Sequence, residues 1–294
     1  MKLSEIFSQK KPTLSFEVFP PKTTDAYQSV QFATEHIAAL NPDYMSVTYG
    51  AGGSTDAFSV SIAANLLKNH GVTPLAHLTC VSSTKEKIAQ QLTVLKENGI
   101  ENILALRGDL PQDADPDKKR EFQYAAQLIA EINKQGDFCI GGACYPEGHV
   151  ESVNRDEDIR HLKEKVDMGC DFLTTQMFFD NSVLYSFLYK IREAGITVPI
   201  VAGIMPVTNS KQIKRICALS GTYLPQRFLS IVDRFGDNPA AMMQAGIAYA
   251  TDQIIDLLAN GVHAIHVYSM NKPEVAAAIQ SNLSEIIPRK EKNE

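Results

Sequence analysis

Eight short apolar runs recur along this chain, and most start about thirty residues after the last, the length of one βα unit. They are LSFEVF (14–19), YMSVTY (44–49), TPLAHLTC (73–80), NILALRGD (102–109), FCIGGACY (138–145), FLTTQMFF (172–179), VPIVAGIMP (198–206) and AIHVYSM (264–270). Stretches with helical spacing lie between them. In TKEKIAQQLTVLKENG (84–99), Ile88, Leu92 and Leu95 share one stripe, and EDIRHLKEKVDMG (157–169) reads the same way. Ser83 followed by Glu86 has the spacing of a capping box, and Gly71, Gly99, Gly169, Gly195 and Gly261 stand where helices close. Eight strands alternating with helices predict a (β/α)8 TIM barrel, an α/β fold occupying 1–294 as one catalytic domain. The longest interval, 207–263, holds an ordinary helix, an insertion around LPQRFLSIVDRFGDNP and a long helix over 239–260, between strands seven and eight. An open doubly wound sheet is disfavoured, because neither a G-x-G-x-x-G nor a P-loop motif follows any strand.

The net charge of −6 supplies no electrostatic footprint for nucleic acid or an anionic membrane. No apolar run approaches the roughly 20 residues that span a bilayer, and MKLSEIFSQKKP lacks the apolar core of a signal peptide, so a soluble, cytoplasmic protein is expected. Cys80, Cys139, Cys144, Cys170 and Cys217 form no C-x-x-C pair and read as buried, reduced thiols. The scattered histidines include His263 and His266, which lack a second ligand cluster, so no metal site is expected.

In such barrels chemistry sits at the C-terminal ends of the strands. Polar residues collect there: Glu17, Thr48 and Tyr49, His77 and Thr79, Arg107 to Asp109, Tyr145, Gln176, His266 and Tyr268. Alternation along LSFEVFPPK puts Leu14, Phe16 and Val18 on one face and Ser15, Glu17 and Phe19 on the other, with Pro20 and Pro21 ending the strand. The same rule groups His77 with Leu75 and Thr79, and Gln176 with Thr174. It groups Arg107 and Asp109 with Ile103 and Ala105, leaving Leu104 and Leu106 to face the helices. Taken singly, each residue has a plain reading: Glu17 a solvated strand-end carboxylate, His77 an interior histidine, Arg107 with Asp109 a rim ion pair. GAGGST (50–55) fits a phosphate cradle or a plain turn equally, and 111–121 reads as an exposed, mobile loop. Together the mouth favours an enzyme using acid–base groups and hydrogen-bonded recognition.

Several motifs jointly resemble methylenetetrahydrofolate reductase: F-E-V-F-P-P (16–21), S-V-T-Y-G-A (46–51), A-H-L-T-C (76–80), A-L-R-G-D-L-P (105–111), Y-P-E-G-H (145–149), T-Q-M-F-F-D (175–180) and G-I-M-P-V-T-N (203–209). The resemblance covers nearly the whole chain in order. The length fits the catalytic barrel of the bacterial enzymes, without the eukaryotic regulatory domain, so inhibition by S-adenosylmethionine is not expected. The resemblance implies noncovalent FAD in the barrel mouth. It would take a hydride from NADH or NADPH and pass it to 5,10-methylenetetrahydrofolate, giving 5-methyltetrahydrofolate for methionine synthesis. A homo-oligomer is also implied, as bacterial relatives commonly are. The alternative is a pterin-binding or aldolase-type barrel without flavin; an aldolase wants a lysine at a strand end, and no strand here carries one.

By position, the resemblance makes Glu17 the general acid for N10, given a pKa raised by burial from about 4.3 towards roughly 6–7. Asp109 becomes the aspartate between flavin and folate. Gln176 is shared by folate and nicotinamide in a ping-pong cycle, Gln212 and Lys272 are further folate positions, and Thr48 is a nicotinamide position. The flavin positions are Tyr49, Ala51, His77, Arg107, Gly108, Asp109, Tyr124, Ala125, Tyr145, His149, Ser152, Asp158, His161 and Lys165. Glu164 stands where enterobacterial relatives have an FAD-holding arginine. Ile216 replaces a stacking phenylalanine, Lys272 an arginine and His161 an asparagine.

Overall fold

The computed structural model describes residues 1–21, 23–49, 55–109 and 120–288. Eight parallel strands close into a barrel in sequence order: β1 (Thr13–Val18), β2 (Tyr44–Val47), β3 (Pro74–Thr79), β4 (Asn102–Leu106), β5 (Cys139–Cys144), β6 (Phe172–Thr175), β7 (Ile200–Ile204) and β8 (Ala264–Tyr268), which pairs back onto β1. The helices that follow the strands are α2 (Tyr27–Ala38), α3 (Thr55–His70), α4 (Lys85–Glu97), α5 (Ala125–Gln135), α6 (Arg155–Asp167), α7 (Asn181–Glu193), α8 (Ser210–Ser220) and α11 (Pro273–Asn282). The expected insertion is α9 (Gln226–Phe235), and the expected long helix is α10 (Pro239–Ala259). All five helix-closing glycines have positive φ, as predicted. The first turn of α4 is capped by Thr84 rather than Ser83: Thr84 accepts from the Lys87 amide, while Ser83 donates to the Thr79 carbonyl.

Two apolar layers explain why the strands look uniformly apolar in sequence. Facing outward, Phe16, Val18, Met45, Val47, Ile103, Ala105, Ile265 and Val267 pack against helix residues such as Ile37, Ile88, Leu92, Leu128 and Ile254. Facing inward, Tyr44, Leu75, Leu104, Cys139, Phe172, Val201 and Ala264 fill the bottom of the barrel. That end is closed by α1 (Leu3–Ser8), whose Leu3, Ile6 and Phe7 are buried, Phe7 edge-on to Phe172 with centroids 5.2 Å apart. Each such side chain removed from water contributes roughly 2 kcal/mol.

The phase of β4 is the reverse of the alternation reading. Leu104 and Leu106 belong to the inner layer, while Ile103 and Ala105 face the helices. Arg107 and Asp109 reach the mouth for another reason: β4 ends at Leu106 and the chain turns through Gly108 at φ +87°. Only glycine takes that φ without strain, and a Cβ there would lie 3.0 Å from the Thr79 Cβ. Four cysteines are buried and Cys217 is half-buried; burial pushes the Cys80 and Cys139 thiols up to about 11 and Cys170 to about 12. No helix among the described residues is long and apolar enough to cross a membrane.

Candidate functional site

Inward-facing polar residues begin above the apolar floor. Register sets Ser15 beside His266, and Glu17 between Ser46 of β2 and Tyr268 of β8. Glu17 is therefore at the mouth end of β1 facing the axis, as alternation predicted, with 19% of its side chain exposed. Ser46 Oγ donates to Glu17 Oε2 at 3.4 Å. The Nε2 atoms of His77 and His266 lie 3.6 and 3.8 Å from that same oxygen. Ser269 Oγ donates to the Glu17 carbonyl at 2.6 Å, and the Asn271 amide brackets Phe19, accepting from its N–H at 3.0 Å and donating to its C=O at 2.9 Å. Both Met270 and Asn271 sit at left-handed φ, near +54° and +53°, so the loop after β8 is held in an unfavourable conformation where it clasps β1.

Burial pushes the Glu17 carboxyl up, but the His266 and His77 rings and the Ser46 hydroxyl outweigh it and hold the carboxyl below its ordinary value. That direction is opposite to the rise expected from burial alone. Burial pushes His77 the other way, down to about 4, so its ring is neutral at pH 7. The unfolded chain binds a proton near 6.5 that the folded chain refuses until about 4, so this histidine's contribution to stability is present above pH 6.5 and lost as pH falls through that window. We predict that His77→Gln removes close to one proton, about 1.4 kcal/mol per pH unit, from the slope of stability between pH 6 and 4.5, read from urea midpoints; an unchanged slope would refute the neutral ring.

Beside this group opens a cleft of about 1080 Å³, walled by the ends of β2 to β5, the first turns of α4 and α5, and α6 from Glu157 to Lys165. Thr48, Tyr49, His77, Arg107, Gly108, Asp109, Tyr124, Ala125, Tyr145, His149, Ser152, Asp158, His161 and Lys165 all line it. Ala51 lies outside the described residues, as do the rest of 50–54 in the glycine-rich turn and most of the 111–121 loop. Arg107 pairs not with Asp109 but with Glu151, through two hydrogen bonds of 2.5 and 2.8 Å. Lys165 is half-buried, its Nζ donating to the Ala143 carbonyl at 2.6 Å, and burial lowers its pKa. A half-buried lysine does reach this end of the barrel, but from a helix. Tyr145 meets His149 edge-on at 4.6 Å, and Tyr124 stacks near His161 at 6.5 Å. Ser152 donates to Asp158 at 3.2 Å, and Glu164 is held by Arg160 on its own helix at 2.7 Å.

Glu17, Gln176, Gln212 and Lys272 are not part of that cleft wall. They lie towards β1 and β6 to β8. Tyr268, next to Glu17 in register, donates to the Thr175 carbonyl at 2.6 Å, immediately before Gln176. Gln176 Oε1 accepts from the Met177 amide, Lys272 Nζ donates to Thr208 Oγ1 at 2.7 Å, and Gln212 is exposed in the first turn of α8. Asp109 is exposed at the rim. Sequence reasoning missed the roles of Ser15, Ser46, Glu151, Ser269 and Asn271. Ser15 and Ser46 carried a legible signal, being polar residues at inward phase in otherwise apolar strands.

The fit to a flavin dinucleotide is tested by what the cleft offers. His77 Nε2 is buried with no hydrogen-bond partner, and it lies in the wall. Arg107, Lys165 and the N-terminal turn of α5 supply positive charge and N–H donors of the kind a pyrophosphate needs. Tyr49, Tyr124 and Tyr145 supply flat apolar surface. The residues fit.

The family model described as methylenetetrahydrofolate reductase matches residues 2–284. The chain belongs to this family. A methylenetetrahydrofolate reductase (NADH) 1 of Arabidopsis thaliana is 35% identical over 96% of the chain, and the chain spans about half (50%) of that relative. The 5,10-methylenetetrahydrofolate reductases of Pectobacterium carotovorum and Escherichia coli are 34% and 33% identical, each over 92% of the chain and 90% of their own length. A Clostridium thermocellum structure described as binding two copies of 5-methyl-5,6,7,8-tetrahydrofolic acid superposes with a TM-score of 0.66. It covers 97% of this chain and 99% of that one at 15% identity, a likeness of fold alone. The methylenetetrahydrofolate reductase family thus accounts for the closed barrel and for the motifs gathered at its mouth.

Proposed function

We propose that this protein reduces 5,10-methylenetetrahydrofolate to 5-methyltetrahydrofolate with electrons from NADH or NADPH, in a ping-pong cycle that supplies methyl groups for methionine synthesis. The observation that carries the reading is Glu17: a family-matched carboxyl at a strand end, 19% exposed, 3.6 Å from a cleft-lining histidine. FAD, when bound in the cleft, supplies the two-electron relay between the nicotinamide and the folate. Arg107 and Lys165 bring positive charge to its phosphates, while Tyr49, His77, Gly108, Tyr124, Ala125, Tyr145, His149, Ser152, Asp158 and His161 complete its wall. Glu17 gives a proton to N10 as the bond from N10 to the methylene carbon breaks and that carbon accepts the hydride. Asp109 at the rim offsets the positive charge that develops on the pterin side. Gln176 serves folate and nicotinamide in turn, Thr48 the nicotinamide, and Gln212 and Lys272 the folate tail. Lys272 offers a point charge without the bidentate geometry of the arginine it replaces.

The test is optical. Purified protein is expected to be yellow, with a flavin band that bleaches on NADH or NADPH and returns on adding methylenetetrahydrofolate. Protein that is colourless and takes up no added FAD overturns the reading in favour of a flavin-free barrel enzyme.

A further inference from the structure

The strand that carries Glu17 runs out of ladder just beyond it. Pairing of β1 with β8 stops where Glu17 faces Tyr268, and β1 itself ends at Val18. Pro20 and Pro21 follow, and neither has an N–H to donate. Between them and the strand stands Phe19, and the side-chain amide of Asn271 takes both of its backbone polar groups. Asn271 Oδ1 accepts from the Phe19 N–H at 3.0 Å, and its Nδ2 donates to the Phe19 carbonyl at 2.9 Å. The backbone fixes these directions, because an N–H only donates and a carbonyl only accepts. From the same turn, Ser269 Oγ donates to the Glu17 carbonyl at 2.6 Å.

The turn adopts an uncommon conformation to make this contact. The Lys272 N–H closes it onto the Ser269 carbonyl at 3.0 Å, and both central residues, Met270 and Asn271, have left-handed φ. Glycine and asparagine are the usual occupants of a turn with two positive φ angles. Asparagine tolerates that region and carries a donor and an acceptor at short reach, so a single residue type serves both the bend and the clasp. Met270 has no such excuse, and the strain it adds persists because the surrounding contacts hold the turn in place.

We propose that Asn271 is a positioning residue for folate reduction, its side-chain amide fixing the end of β1 and thereby the height of the Glu17 carboxyl at the barrel mouth. A strand end left loose lets that carboxyl drift, and a misplacement of about 1 Å is enough to slow a reaction by about 10²-fold. The folate side has an anchor of its own, since Lys272 Nζ donates to Thr208 Oγ1 at 2.7 Å. Asn271 is not part of the cleft wall across β2 to β5. Loss of the clasp therefore acts on the turnover of bound folate, and neither on folate binding nor on flavin reduction by the nicotinamide.

The proposal rests on the enzymatic reading above, so one arm of its test needs no substrate. Asn271→Gly keeps the left-handed φ free of strain and removes only the side-chain bonds. By amide hydrogen exchange on the purified protein, the Phe19 N–H is expected to exchange about 10-fold or more faster in this variant, while the amides within β1 keep their protection. A Phe19 amide unprotected in the unaltered protein, or equally protected in both, overturns the clasp. In the kinetic arm, Asn271→Gly is expected to lower the limiting rate of flavin reoxidation at saturating methylenetetrahydrofolate by about 10-fold or more. The folate concentration giving half that rate and the nicotinamide half-reaction stay unchanged. Met270→Gly loosens the same turn and leaves the clasp, so both rates are expected to be kept; a loss there equal to that of Asn271→Gly assigns the effect to the stiffness of the turn and overturns the proposal. Equal losses in both half-reactions indicate a merely structural role and overturn it too. Asn271→Asp keeps the acceptor for the Phe19 N–H and loses the donor to its carbonyl; it stands in if Asn271→Gly does not fold, and an unslowed folate half-reaction in it overturns the proposal. Failure of the enzymatic reading would instead show as an unaltered protein that never reduces the folate, whatever the protection of Phe19.

Discussion

Glu17→Gln is expected to leave flavin reduction by the nicotinamide intact and to slow reoxidation by methylenetetrahydrofolate by about 10²–10⁴-fold, the usual contribution of a positioned general acid. The amide keeps the size of the carboxyl and can still accept from Ser46, so the mouth of the barrel keeps its shape. It has no acidic proton to give, and opening the folate's five-membered ring leaves N10 without a partner. The two half-reactions separate the roles, because transfer from the nicotinamide asks for no proton at N10. Rapid-mixing absorbance at the flavin band reads both. Wild-type rates in both half-reactions would remove Glu17 from the chemistry and return it to the plain reading of a strand-end carboxylate. A loss in the nicotinamide half-reaction alone would place Glu17 in that substrate's site instead.

The barrel was legible in the sequence because each strand has an apolar outer face against a helix, so the thirty-residue beat survives whatever the inner face carries. The inner face was legible where alternation runs to the end of a strand, as in β1, where Leu14, Phe16 and Val18 face outward and Glu17 faces the axis. It failed in β4, because Arg107 and Asp109 lie beyond the last paired residue and a turn at Gly108 resets the direction. Motif resemblance does not depend on phase, and the flavin positions it implies, Ala51 apart, all line the one cleft.

Pairings between distant segments were beyond reach for a different reason. Arg107 and Glu151 are 44 residues apart and meet only because two barrel loops converge. The proximity of Ser15 to His266 requires β8 to close on β1 with a particular register. The direction of the Glu17 shift was misread for the same cause: burial is local and foreseeable, whereas two imidazoles on β3 and β8 arrive through the barrel's closure. The α1 plug had a signal in the spacing of Leu3, Ile6 and Phe7, but six residues are too few to stand out before the strand they cover is known.

Gly246→Ala is expected to be the most damaging glycine-to-alanine change among the described residues, although alanine is the better helix former by about 1 kcal/mol. Gly246 lies in the middle of α10 and is buried against the loop that follows β7. A Cβ there would stand 1.8 Å from the Val207 carbonyl oxygen and 2.7 Å from its carbon. Those are backbone atoms, so no side chain can swing aside, and α10 or the loop has to move. Overpacking of this kind costs about 3 kcal/mol or more, which outweighs the gain in helix propensity and lowers the urea midpoint. The displacement has a direction that function reads. Val207 precedes Thr208, whose hydroxyl accepts from Lys272 Nζ at 2.7 Å, so a shifted loop moves the proposed folate side of the mouth while the cleft across β2 to β5 stays in place. A raised KM for the folate, with nicotinamide-driven flavin reduction unchanged, is the expected signature at temperatures where the variant is folded. A higher urea midpoint would show that α10 slides freely over the β7 loop, and the tight approach at Gly246 would then hold nothing at the folate side in place.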